Sequence, residues 1–82
     1  MYYTYILFSE KCNRFYIGYT KNIEERLDRH NSGKVIATKN CRPYQLKKMK
    51  AFTENQDAKN EEIRLKKMKS SKYLMKLIDG DW

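Results

Sequence analysis

Four kinds of side chain in this sequence could act together on a phosphate ester if folding gathered them. Tyr5 and Tyr16 stand in two short aromatic runs, Tyr2–Phe8 and Arg14–Tyr19. Arg26 and His30 follow at a spacing of four, which places both on one side of a helix. A carboxylate, Glu61 or Glu62, lies on a later helical stretch. Six basic residues and no acid fall between positions 34 and 52: Lys34, Lys39, Arg42, Lys47, Lys48 and Lys50. Breaking a phosphodiester requires a water, a group to take its proton and positive charge on the phosphoryl oxygens. An arginine suits the phosphate through its fixed fork of donors. One or two carboxylates suffice to hold magnesium, because phosphates and water complete its shell. A phenol titrates near pH 10 in water, and neighbouring positive charge favours its phenolate.

The elements that must position these groups can be read from the pattern. Tyr2–Phe8 is aromatic and β-branched, with apolar residues on both faces, so it is expected as a central strand. Ser9–Asn13 is a polar turn, and Arg14–Tyr19 pairs antiparallel with the first strand. A loop of Ser9–Cys12 would set Tyr5 opposite Tyr16, with both rings on one face. Asn22 offers an N-cap, Glu24 and Glu25 fill a first turn, and Gly33 follows the end, predicting a helix over 22–31. Ile23, Leu27 and His30 form its inner stripe, with Arg26 at the margin.

Residues 32–43 form a long loop closed by Arg42-Pro43. Tyr44–Phe52 alternates poorly and carries three lysines, which suits an edge strand. Glu54–Met68 is helical, with Ala58, Leu65 and Met68 inward. Ser70 or Ser71 can cap a last helix whose apolar set is Tyr73, Leu74, Leu77 and Ile78. Measured from Ala58 and Leu65, Glu62 lies about 40° from the inner stripe and Glu61 about 60°, so periodicity favours Glu62 only slightly. The expected fold is α+β: a three-stranded antiparallel sheet flanked by helices, in the order β-β-α-β-α-α.

With 82 residues the chain is expected to be a single domain, burying roughly 60% of its unfolded surface. The net charge is +8, and the excess sits in residues 34–52, which suits a polyphosphate partner. No apolar run reaches the roughly 18 residues a membrane helix needs, and Met1–Phe8 lacks the basic start of a signal peptide. The protein is therefore expected in the cytoplasm, away from membranes. Cys12 and Cys41, without a Cys-x-x-Cys pair, read there as two free thiols rather than a zinc site. The tyrosines could equally be packing residues, His30 a satisfied core histidine and Arg26 a surface ion pair. A sheet of tyrosines beside lysines would also serve a module that stacks single-stranded bases without catalysis.

The opening Tyr2-Tyr3-Thr4-Tyr5-Ile6-Leu7, the strand Phe15-Tyr16-Ile17-Gly18-Tyr19-Thr20 and the helix holding Glu25-Arg26-Leu27-Asp28-Arg29-His30-Asn31-Ser32-Gly33 together resemble the GIY-YIG nuclease domain. The likeness covers about residues 2–78 and is greatest to short, stand-alone bacterial members. It implies a DNA endonuclease using one divalent cation, Mg²⁺ or Mn²⁺, on duplex or branched DNA in repair or recombination. Carried over by position, Tyr5 closes the first motif and Tyr16 opens the second. Arg26 matches the helix arginine, and His30 the His or Tyr four residues later. Glu62 falls on the metal-binding glutamate, with Leu65 and Lys66 in register. The expected DNA contacts are Lys34, Lys39, Arg42, Lys47 and Lys66. The first motif departs from its name, reading Tyr3-Thr4-Tyr5. Members often take target choice from an appended domain, so a protein partner is the expected source of specificity.

Overall fold

The computed structural model describes residues 1–82, the side chain of Asp81 excepted. Strand β1 (Tyr2–Ser9) is followed by β2 (Arg14–Thr20), helix α1 (Ile23–Asn31) and β3 (Gln45–Phe52). Helices α2 (Asn55–Met68) and α3 (Ser71–Lys76) complete the order, with a π-type turn Leu77–Asp81 at the end. The three strands form one antiparallel sheet in the order β2-β1-β3. The doubly apolar β1 is thus central, and the lysine-bearing β3 is an edge.

Because side chains alternate along a strand, the two faces of β1 build two cores. Ile6 and Ile17 pack with Leu65 of α2, Leu74 of α3 and Leu77. Tyr5, Leu7 and Tyr44 pack on the opposite face with Ile23 and Leu27 of α1. Ala58, fully buried, lets α2 approach closely enough for the Thr4 hydroxyl to donate to its carbonyl at 2.7 Å.

The local signals for α1 are in place. The Asn22 side chain accepts from the Glu25 amide at 3.1 Å, a cap that stabilises such a helix by about 1 kcal/mol. Thr20 braces the turn before it: its hydroxyl donates to the Asn22 carbonyl at 3.3 Å and accepts from the Asn22 amide at 3.2 Å. Ser70 caps α3 by accepting from the Tyr73 amide.

Three expectations need correction. Tyr5 pairs with Gly18, and Leu7 with Tyr16, because the hairpin loop is residues 10–13. A loop shifted by one residue moves the register by two, so Tyr5 and Tyr16 stay on one face as diagonal neighbours. Met68, expected inward, is 45% exposed, since the helix ends there and Lys69 takes a left-handed conformation. Finally, Cys12 and Cys41 are not free thiols: they form a disulfide. The antiparallel pairing of β1 with β3 brings the loop leaving β1 beside the loop entering β3. The Ser9 hydroxyl, which donates to the Cys41 carbonyl and accepts from the Cys12 amide, reinforces that junction.

Candidate active site

An open cleft of about 400 Å³ lies at the free edge of β2, between α1 and α2. Tyr16 and Gly18 contribute from one face of β2 and Tyr19 from the other; Arg26 comes from α1 and Glu62 from α2. Tyr2, Thr20, Lys21, Asn22, Glu25 and Asn55 complete its walls. Three of the five expected site residues, Tyr16, Arg26 and Glu62, thus line one space, and Tyr5 and His30 lie buried outside its lining.

Tyr5 does not line the cleft. It is 2% exposed and lies directly behind Gly18. A Cβ on Gly18 would stand 2.6 Å from Tyr5 Cζ and closer still to its hydroxyl, so only glycine lets the ring cross there. The Tyr5 hydroxyl meets His30 Nε2 at 3.0 Å. Burial pushes the Tyr5 phenol up to about 12, outweighing the Arg26 charge that pulls it down. Tyr16 and Glu62 add to the upward push, which places both within electrostatic reach.

His30 is fully buried, and its second ring nitrogen, Nδ1, meets the Thr38 hydroxyl at 2.8 Å. Burial, with the charges of Arg26 and Arg29, pulls the imidazole down to about 4, so it is neutral at pH 7. Its ring also packs edge-on against Tyr16, with centroids 4.8 Å apart. The lone histidine is therefore hydrogen-bonded to the Tyr5 phenol and the Thr38 hydroxyl and packed against the Tyr16 ring.

The two glutamates have distinct environments. Glu61 accepts from Arg64 at 2.7 and 2.8 Å and from Trp82 Nε1 at 2.8 Å. Those bonds, Arg64 foremost, hold its carboxyl below the usual range. Glu62 points to the cleft, is 16% exposed in its side chain, and has only Lys66 nearby, at 3.5 Å. Among the described residues no carboxylate pairs with Arg26. A cation and an acid, both without a strong protein partner, therefore flank the same space.

The expected DNA contacts are dispersed. Lys66 lies beside the cleft, its ammonium 5.6 Å from the Tyr16 ring centroid. Lys34 is near Asp28 and Arg29 at the end of α1. Lys39 and Arg42 are exposed on the long loop, with the Arg42 guanidinium packed over Gly33. Lys47 lies over Phe8, on the sheet face shared with α3. Sequence reasoning missed Lys21, whose place just before the cap of α1 was the available signal, and Asn55, which had none. It also missed Asn31, whose amide pairs with both backbone groups of Tyr44, at 2.7 and 3.1 Å.

The model of the GIY-YIG catalytic domain matches residues 1–75, which include every residue of this cleft. The chain belongs to the GIY-YIG family. Among similar proteins, the UPF0213 protein OB0043 of Oceanobacillus iheyensis is 36% identical over 80 residues, covering 94% of this chain and 88% of its own. A UPF0213 protein of Syntrophus aciditrophicus is 40% identical over 76 residues, covering 88% and 84%. The solution NMR structure of UPF0213 protein BH0048 from Bacillus halodurans has a TM-score of 0.59 and 29% identity. That match spans 99% of this chain and 86% of the other. GIY-YIG domains constitute a nuclease family, so membership supports an endonuclease in general terms, with DNA as the implied substrate. Among the described residues no helix is long and apolar enough to cross a membrane.

Proposed function

We propose that this chain is a divalent-metal-dependent endonuclease hydrolysing phosphodiester bonds in branched or damaged DNA. The observation that carries the proposal is the opposition of Arg26 and Glu62, on separate helices, across a cleft walled by Tyr16. Packing alone offers no reason to bring a guanidinium with no carboxylate partner among the described residues and a carboxylate held only by Lys66 to one small space.

Tyr16 faces the cleft whereas Tyr5 is buried behind Gly18, which makes Tyr16 the phenol that meets the attacking water. In its phenolate form Tyr16 takes the water's proton as the new oxygen–phosphorus bond forms and the bond to the leaving oxygen breaks, that oxygen taking up a proton from solvent water. Arg26 donates to the phosphoryl oxygens, where negative charge grows in the five-coordinate transition state. Tyr5 and His30 support this pair from behind, and Lys21 and Lys66 lie at the cleft to meet neighbouring phosphates. Among the described residues no cluster of three or more His, Cys, Asp or Glu could cage a metal. Glu62 nevertheless fits a single Mg²⁺ or Mn²⁺, whose remaining shell is substrate oxygen and water. When bound, such an ion supplies Lewis-acid stabilisation of the phosphoryl group.

We place the enzyme in the cytoplasm, working as one unit over residues 1–82 and taking target choice from a protein partner. A substrate panel of intact duplex, nicked, flap and branched DNA with Mg²⁺ or Mn²⁺ tests the proposal, with Glu62→Gln as the control. A second reading, a non-catalytic nucleic-acid module, draws on the lysine–tyrosine contacts Lys21–Tyr2 and Lys66–Tyr16. Metal-independent binding that Glu62→Gln leaves intact, with no cutting, would favour it.

A further inference from the structure

We infer that Thr38, on the loop between α1 and β3, is a positioning residue that fixes which nitrogen of His30 carries the proton and so turns the Tyr5 hydroxyl, behind the cleft, in one direction. The inference rests on the proposed nuclease reading for its catalytic consequence, but not for its structural content.

Thr38 is fully buried although it sits on a loop, and its hydroxyl contacts two groups. These are the Val35 carbonyl at 3.4 Å and His30 Nδ1 at 2.8 Å. The Val35 carbonyl, which also accepts the Thr38 amide at 3.1 Å, can only accept; with the hydroxyl proton turned to it, a lone pair faces Nδ1. Nδ1 must then carry the imidazole proton. A neutral ring has only one, which leaves Nε2 as an acceptor facing the Tyr5 hydroxyl at 3.0 Å. Tyr5 therefore donates to His30.

The far end of the chain favours the same polarity independently. Burial raises the Tyr5 phenol and the Arg26 charge lowers it, so the guanidinium lies within electrostatic reach of the phenol and favours lone pairs facing it. With its own proton turned toward His30, the Tyr5 oxygen offers Arg26 its lone pairs. In the opposite tautomer the phenolic proton would point at a cation. The direction this favours runs from Tyr5 to His30, and from His30 through Thr38 to the Val35 carbonyl. The long loop thereby reaches Tyr5, directly behind Gly18 of the cleft wall, through His30.

The test is ¹⁵N NMR of the only histidine in the chain, in wild type, Thr38→Val and Thr38→Ser, at pH 7. Wild type and Thr38→Ser should show the Nδ1–H tautomer. Thr38→Val, nearly the same shape without the hydroxyl, should move the ring to Nε2–H or to a mixture. Nicking assays on the same proteins should show kcat reduced at least tenfold in Thr38→Val, KM within about twofold, and recovery in Thr38→Ser. An Nε2–H ring in wild type, or ring shifts unchanged in Thr38→Val, overturns the inference. So does a flipped tautomer with unchanged kcat. If Thr38→Val fails to fold, the wild-type tautomer and the Thr38→Ser protein still decide it. A wild type that cuts nothing yet holds the Nδ1–H tautomer overturns the nuclease reading and leaves the hydrogen-bond assignment supported.

Discussion

Gly18→Ala should be costly for one identifiable reason, the Tyr5 ring that crosses behind it. The three atoms nearest a Cβ at position 18 all belong to Tyr5, with Cζ at 2.6 Å and Cε2 at 3.1 Å. Tyr5 is buried between β1, β2 and α1, so its ring cannot swing aside without displacing neighbours. Overpacking of this kind costs about 1–3 kcal/mol, and losing the bond from Tyr5 to His30 adds about 1 kcal/mol. The total, on the order of 2–4 kcal/mol, should lower Tm by roughly 10–20 °C in a domain of this size. A double-mutant cycle read by thermal or urea unfolding isolates the cause. In a Tyr5→Leu background those three atoms are gone, so adding Gly18→Ala should cost at least about 1 kcal/mol less than in wild type. Equal costs in both backgrounds would refute the reasoning, since the penalty would then come from the backbone of β2 rather than from the ring.

Stability should also fall on mild acidification, because the unfolded imidazole takes a proton near its ordinary pKa while buried His30 does so only near 4. Between those values the unfolded state binds more protons, so acid favours it. Urea titrations should lose about 1.5 kcal/mol from pH 6.5 to 5, above the usual carboxylate range, and a His30→Gln variant that folds should lack that slope. Reducing the Cys12–Cys41 bond, whose sequence separation is 29, should cost about 3.5 kcal/mol through loop entropy. Cys41→Ser should match that loss, and reduction without any shift in the unfolding midpoint would contradict it.

Much of the scaffold was legible because short-range rules govern it. The doubly apolar β1, the lysine-rich edge β3 and the Asn22 cap of α1 each follow from local pattern, and together they put Arg26 beside the sheet. Period-2 alternation kept Tyr5 and Tyr16 on one face even though their register moved by two. Periodicity leaned only slightly to Glu62; the contacts of Glu61 with Arg64 and Trp82 are what separate the two acids, and Trp82 lies too far along the chain to be anticipated. Thr38 and the disulfide depend on how the long loop folds back, which no periodic signal encodes. The basic segment is continuous in sequence but not in space, because β3 runs along the sheet edge away from the cleft and carries Lys47 to the α3 side.

The Glu62 carboxylate either supports chemistry in the cleft or merely lines its wall. Glu62→Gln preserves shape and removes the charge, so its fold and its Lys66 neighbourhood should be little changed. Nicking of branched or flap DNA, followed in Mg²⁺ and in Mn²⁺, should be measurable in wild type and lost by at least a hundredfold in the folded variant. Cutting by Glu62→Gln at the wild-type rate would contradict the account.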